Sequence, residues 1–321
     1  MGYKRGFIMF QEVLQAIRKY DRIIIHRHGR PDGDAMGSQI GMKQIILENF
    51  PGKEVYMVGD QPGFFGFMEG AQLDEIPDSA YENALAIILD CGSKSMVNDD
   101  RYTLAAATVR LDHHIFCEKI ADVEIVDTSF ESCCGLITEF VAQCGLKLNP
   151  LAAQSLYTGM VTDSGRFRYD GTTARTFRLA SLLMEQKFDT NELFRNLYAD
   201  DFSAKQLKAK FILKIQFTVK NVAYIYTTLQ EMQELNADTF TVSRGMTNTM
   251  ADIKGVDIWV NFTETEKGVL CELRSSKYNI NPIAVKYGGG GHAKASGATV
   301  ADKATAMAML NDLNDMIGET L

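Results

Sequence analysis

Four short apolar runs in this chain each end in a cluster of acidic or imidazole side chains, and no other feature constrains the fold as much. Arg22-Ile23-Ile24-Ile25-His26 leads into His28-Gly29-Arg30-Pro31-Asp32-Gly33-Asp34. Leu85-Ala86-Ile87-Ile88-Leu89 leads to Asp90, and Ala107-Thr108-Val109-Arg110-Leu111 leads to Asp112-His113-His114. Tyr157-Thr158-Gly159-Met160-Val161-Thr162 leads to Asp163. Short near-continuous runs of β-formers predict strands buried on both faces. Residues 22–25, 55–58, 85–89, 108–111 and 123–126 are read this way. Helical periodicity separates them, with Val13, Leu14 and Ile17 on one face before the first strand and Ile40, Met42, Ile45, Ile46 and Leu47 after it. Strand–helix alternation predicts an α/β fold: a parallel sheet with flanking helices. Ligands of such sheets bind beyond the carboxyl ends of the strands, where His28, Asp32, Asp34, Asp90 and Asp112-His113-His114 fall. Asp163 is the exception. It ends a helical stretch, so the chain must fold back to bring it to the same edge.

Three imidazoles (His28, His113, His114) and five carboxylates (Asp32, Asp34, Asp90, Asp112, Asp163) are more ligands than one ion can use. A carboxylate-rich set with a few imidazoles favours Mn²⁺ or Mg²⁺ over a thiolate zinc site. Two ions about 3.5–4 Å apart, bridged by a carboxylate, would use the set, turn a bridging water into hydroxide and let it attack phosphorus in line. Any one of these residues alone reads as a turn, a cap or a structural histidine; the joint pattern on one sheet edge points to metal. The six cysteines include no C-x-x-C pair and are expected as reduced, mostly buried thiols.

The 321 residues suit about two domains. A net charge of −8 argues against coating long nucleic acid but leaves room for a small phosphorylated substrate, whose charge metals and a few arginines can meet locally. The apolar run at the N-terminus is too short for a signal peptide, and Met1 and Met9 are both candidate starts. No apolar run approaches the roughly 20 residues of a membrane span, so a cytoplasmic protein without a membrane partner is expected. The expected division is a catalytic domain over 1–185, a helical linker over 186–214 with an N-cap at Ser203, and a mixed α/β domain over 215–321. In that last part, strands are predicted over 219–229, 256–263, 269–275 and 296–300, and helices over 245–253, 281–287 and 303–317. Gly288-Gly289-Gly290-Gly291-His292 is expected as a loop whose backbone N–H groups can approach an anion. With Arg274 and Ser275 on the preceding strand, Gly289, Gly290, Gly291 and His292 form a candidate phosphate pocket.

His28-x-x-x-Asp32-x-Asp34, Asp90, Asp112-His113-His114 and Asp163 together resemble the four motifs of the DHH phosphoesterase superfamily. Gly288 to His292, followed by Ala295-Ser296-Gly297, resembles the signature of its C-terminal DHH-associated domain. The resemblance extends over nearly the whole chain. It implies one ion held by His28, Asp32 and Asp90, and a second by Asp34, Asp90, His113 and Asp163, with Asp90 bridging. It also implies catalytic roles for Asp112, orienting a neighbouring imidazole, and His114, facing the scissile phosphate. The implied cofactors are two divalent ions, Mn²⁺ first and Mg²⁺ as the alternative. Within the superfamily the layout is similar to the nano-RNase and pAp-phosphatase group. That implies release of nucleoside 5′-monophosphates from short single-stranded RNA and dephosphorylation of 3′-phosphoadenosine 5′-phosphate, a small adenine nucleotide. The alternatives are a pApA or cyclic di-AMP phosphodiesterase and a non-catalytic nucleotide-binding sensor. A homodimer stays open.

Overall fold

The apolar runs of the first half form the strands β1 (Arg22–His26), β2 (Glu54–Met57), β3 (Leu85–Leu89), β4 (Ala107–Asp112) and β5 (Val123–Val126). They pair in the order β2-β1-β3-β4-β5, all parallel. The structure is a computed structural model that describes residues 2–235 and 237–318; Met1, one of the two candidate starts, lies outside them. The chain divides into two compact units, 1–199 and 200–321. Residues 186–214, expected as a linker, contribute one helix to each unit. Among the described residues no helix is long and apolar enough to cross a membrane.

In the first unit the helices are α1 (Gly2–Lys19), α2 (Gly33–Asn49), α3 (Cys133–Cys144), α4 (Pro150–Asp163), α5 (Ala174–Met184) and α6 (Thr190–Tyr198). The largest apolar cluster joins Ile23, Ile25, Leu85, Ile87, Leu89, Val109 and Leu111 of the strands to Val13, Ile17, Ile45, Phe140 and Leu156 of the helices. A second cluster on Ala86 and Ile88 takes in Val97 and Tyr102, so β3 is buried completely. The strand order reverses direction between β1 and β3, and such a switch point opens a crevice at the carboxyl ends of the strands. His28 follows one of those two strands and Asp90 the other.

Asp163 reaches this crevice because α4 packs directly along α2. The approach depends on missing side chains. A Cβ at Gly37 would overlap the Ser155 carbonyl oxygen, and one at Gly159 would overlap the Cys134 sulfur and crowd Asp34.

The second unit has a six-stranded mixed sheet in the order β10-β11-β9-β8-β7-β6. Its elements are α7 (Phe202–Leu213), β6 (Gln216–Phe217), β7 (Ala223–Thr227), α8 (Leu229–Leu235), β8 (Ile258–Thr265), β9 (Gly268–Ser275), α9 (Asn281–Lys286), β10 (Gly290–His292), β11 (Ala295–Val300) and α10 (Lys303–Met316). Several boundaries differ from expectation. The strand expected over 219–229 is shorter and gives way to α8. The helix α7 starts at Phe202 after Asp201, not after Ser203. The helix expected over 245–253 is replaced by a π-turn at Thr241–Gly245 and a 3₁₀ turn at Thr247–Met250. The buried Asn261 amide explains part of this, because it takes the Val242 and Ser243 carbonyls at 2.6 and 2.8 Å. The glycine run is partly a strand: β10 pairs antiparallel with β11, with Gly290 opposite Gly297 and His292 opposite Ala295.

Candidate metal centre

Each strand-end cluster of the first unit is held by local backbone chemistry before any ligand is considered. Asp32 N-caps α2, its Oδ1 accepting from the backbone N–H groups of Asp34 (3.0 Å) and Ala35 (2.9 Å). Asp34 is buried, and its two oxygens accept from the N–H groups of Cys133 (2.7 Å) and Cys134 (2.9 Å) at the N-terminus of α3. Asp90 leaves β3 in the left-handed region, at φ 55°, a conformation unusual for a residue with a side chain. Both ring histidines of the inner cluster turn Nδ1 onto a backbone carbonyl. His28 donates to Gly29 (2.8 Å) and His113 to Phe130 (3.4 Å), so each presents Nε2 to the crevice.

Asp90 lies at the centre. Its Oδ2 is 3.4 Å from His28 Nε2, and its Oδ1 is 3.5 Å from His113 Nε2. His28 Nε2 is also 3.7 Å from Asp32, while His113 Nε2 is 3.8 Å from Asp34 and 3.4 Å from Asp163. The ligand atoms of His28, Asp32 and Asp90 lie within 4.8 Å of one another, as do those of Asp34, His113 and Asp163. The eight expected residues of this unit are therefore brought together: Asp90, five residues around it, and the adjoining pair of Asp112 and His114. In that pair Asp112 Oδ1 meets His114 Nδ1 at 2.7 Å, and Asp90 Oδ1 lies 3.6 Å from the same nitrogen.

The electrostatics ask for positive charge. Burial, reinforced by Asp90 and Asp163, pushes the Asp34 carboxyl well above its usual range. Burial lifts Asp163 to about 6 despite the nearby His113. Burial opposes charging His28 and His113, but the carboxylates that face them outweigh it and raise both to about 10. Asp90 Oδ1 is buried with no hydrogen-bond partner. Clustered buried carboxylates, with an orphaned oxygen among them, fit a divalent cation.

Sequence reasoning passed over the residues that brace this cluster. Arg27 is fully buried; it donates to the His28 carbonyl (3.0 Å), to Gln39 Oε1 (3.0 Å) and to the Asp60 carbonyl, while Gln39 holds the carbonyls of Ile25 and Val58. Its position directly before His28 at the end of an apolar strand was the available signal. His26, outside the motif, is buried between Tyr81 and Tyr102 as a structural residue.

In the second unit, Arg274 on β9 lies opposite Ala295 of β11, which lies opposite His292 of β10. Arg274 donates to Glu272 (3.2 Å) and to the Leu273 carbonyl (2.8 Å). Ser275 is committed to its turn: its hydroxyl donates to the Asp257 carbonyl and accepts from the N–H groups of Lys277 and Tyr278. Gly289 and Gly291 are close-packed against the backbone of β11, so a Cβ at either would clash, whereas a Cβ at Gly290 would meet open space.

Carboxylates and imidazoles crowded at the mouth of a parallel sheet suit metal-assisted hydrolysis of a phosphoester. Comparison with known proteins agrees: residues 22–160 match the DHH family N-terminal domain and residues 221–319 the DHHA1 domain. The chain belongs to the DHH family of phosphoesterases. It is 35% identical over 290 residues to the probable bifunctional oligoribonuclease and PAP phosphatase NrnA of Streptococcus mutans, covering 90% of this chain and 93% of that protein. It is 33% identical over 314 residues to the bifunctional oligoribonuclease and PAP phosphatase NrnA of Bacillus subtilis, covering 97% and 99%. Among solved structures, an exopolyphosphatase-related protein from Bacteroides fragilis shares the fold at a TM-score of 0.84, with 23% identity over 96% of each chain.

Proposed function

We propose that this chain is a cation-dependent phosphohydrolase that releases nucleoside 5′-monophosphates from short oligoribonucleotides and dephosphorylates 3′-phosphoadenosine 5′-phosphate. The names of its relatives in Streptococcus and Bacillus support the substrate class. The observation that carries the chemistry is the Asp90 carboxylate, which turns one oxygen to His28 and the other to His113. His28, Asp32 and Asp90 would hold one divalent cation, and Asp34, Asp90, His113 and Asp163 the other, with Mn²⁺ favoured and Mg²⁺ the alternative. When bound, such a pair supplies Lewis-acid activation of water and neutralises phosphate charge.

The remaining steps belong to side chains. Asp112 accepts from His114 Nδ1, which leaves His114 Nε2 free to face the substrate. As the attacking oxygen bonds to phosphorus, the P–O bond to the leaving 3′-oxygen breaks, and His114 gives that oxygen its Nε2 proton. The Asp112 hydrogen bond raises the His114 pKa against the effect of burial, which keeps the proton available. Within the second unit, Arg274, His292 and the open backbone at Gly290 would be the groups that take a phosphate. Gly289 and Gly291 shape that turn.

Turnover of pAp, pApA, cyclic di-AMP and a ribonucleotide 2–4-mer series, each in Mn²⁺ and Mg²⁺, tests the reading. Hydrolysis of the short RNAs and pAp with either ion supports it. Preference for cyclic di-AMP or pApA moves the assignment to a cyclic-dinucleotide pathway enzyme, and binding without turnover makes the chain a sensor.

A further inference from the structure

Arg110 is a cation with no exposed surface, on the same face of β4 as Asp112, two residues on. Its Nη2 donates to Asp112 Oδ2 at 2.6 Å and to the Gly92 carbonyl at 3.2 Å. Its Nη1 donates to the Glu118 carbonyl at 3.2 Å and reaches Glu124 Oε1 at 3.4 Å. The two oxygens of Asp112 are thus divided, one to Arg110 and the other to His114 at 2.7 Å. Gly92 matters for a separate reason. A Cβ there would lie 3.3 Å from His114 Cβ, so the Gly92 backbone is the wall against which His114 rests. The His113 ring, 4.6 Å away between centroids, bounds the other side.

A buried ion pair contributes little net stability compared with apolar residues of the same size, because desolvating two charges offsets their attraction. Arg110 also leaves its Nε unpaired. The arrangement is a poor way to stabilise a strand and an effective way to fix a carboxylate at both ends. We infer that Arg110 is a positioning residue for the reaction: by clamping Asp112 and the Gly92 carbonyl together, it fixes the His114 ring in the orientation from which its proton reaches the leaving oxygen. The inference rests on the proposed role of His114. Lysine cannot replace the fork, because a single ammonium cannot hold both acceptors in one plane.

The test uses the full chain carrying Arg110→Lys or Arg110→Met, with His114→Ala as reference. Two substrates are compared: a diribonucleotide, whose leaving alkoxide needs a proton, and a p-nitrophenyl ester of a nucleoside 5′-monophosphate, whose leaving group does not. Arg110→Lys is expected to lose roughly 10- to 100-fold in kcat on the diribonucleotide, the size typical of orienting partners. The KM and the Mn²⁺ affinity measured by calorimetry should stay near those of the parent, the melting temperature should fall because Asp112 loses part of its buried partner, and the loss in kcat should largely vanish on the aryl ester. In metal-free protein, the downfield proton resonance of the Asp112–His114 hydrogen bond should weaken in the same variants. If Arg110→Met does not fold, Arg110→Lys carries the test alone. Equal losses on both substrates, altered Mn²⁺ affinity or an unchanged kcat would overturn the positioning role. A loss in His114→Ala that is the same on both substrates would instead overturn the reading of His114 itself.

Discussion

Asp90 and its neighbours are where the proposed cation binding can be tested side chain by side chain. In the metal-free protein His28 and His113 each hold a proton against carboxylates, with pKa values raised to about 10. A metal accepts only the neutral ring, so uptake must displace those protons. The sign follows: cation affinity rises with pH through the neutral range, and binding at pH 7.5 should release the imidazole protons, at least about two per chain. Calorimetry in two buffers of different ionisation enthalpy measures this, and uptake without proton release would remove both imidazoles from the ligand set. His26 behaves in the opposite way. Burial pushes it down to about 4 from an ordinary 6.5, so on acidification the unfolded chain takes up the proton first. Its contribution is complete above pH 6.5 and lost by about pH 4, on the order of 3 kcal/mol. Urea unfolding of His26→Gln across that window should lose this part of the pH dependence; an unaltered dependence would assign it to other groups.

At the scale of elements, the packing of α2 on α4 brings Asp163 to Asp34. Gly37→Val should force the helices apart, at a cost of about 1–3 kcal/mol, and weaken cation binding with it. Gly290→Ala offers the contrast, since its Cβ would meet open space. Its unfolding midpoint should match the parent while KM for the nucleotide rises; a lowered midpoint would make Gly290 a packing residue like Gly289. These two glycines also mark what could be read in advance. The strands were legible because buried parallel strands are continuous apolar runs, and their polar ends named the crevice. The return of α4 was not, because periodicity shows that a helix is amphipathic or buried without showing what it lies against. Glycines at 33, 37 and 41, four apart, were the available signal. The helix expected over 245–253 gives way to turns in part because of Asn261, which lies on a strand further along the chain and is invisible to local periodicity.

At the scale of the whole molecule, the chain builds its apolar clusters around two separate sheets, one in each unit. The first unit gathers buried carboxylates around Asp90; the second offers Arg274, His292 and the open backbone of Gly290. A net charge of −8 comes partly from that first cluster, which makes the negative balance a consequence of function and not only of solubility. In the proposed function one carboxylate, Asp90, would serve two cation sites. Electron paramagnetic resonance of the protein loaded with two equivalents of Mn²⁺ tests it most directly. The spectrum of an exchange-coupled pair is expected, replaced in Asp90→Ala by weak binding of uncoupled ions. An uncoupled six-line spectrum from the unaltered protein, or a coupled pair surviving in Asp90→Ala, would contradict it.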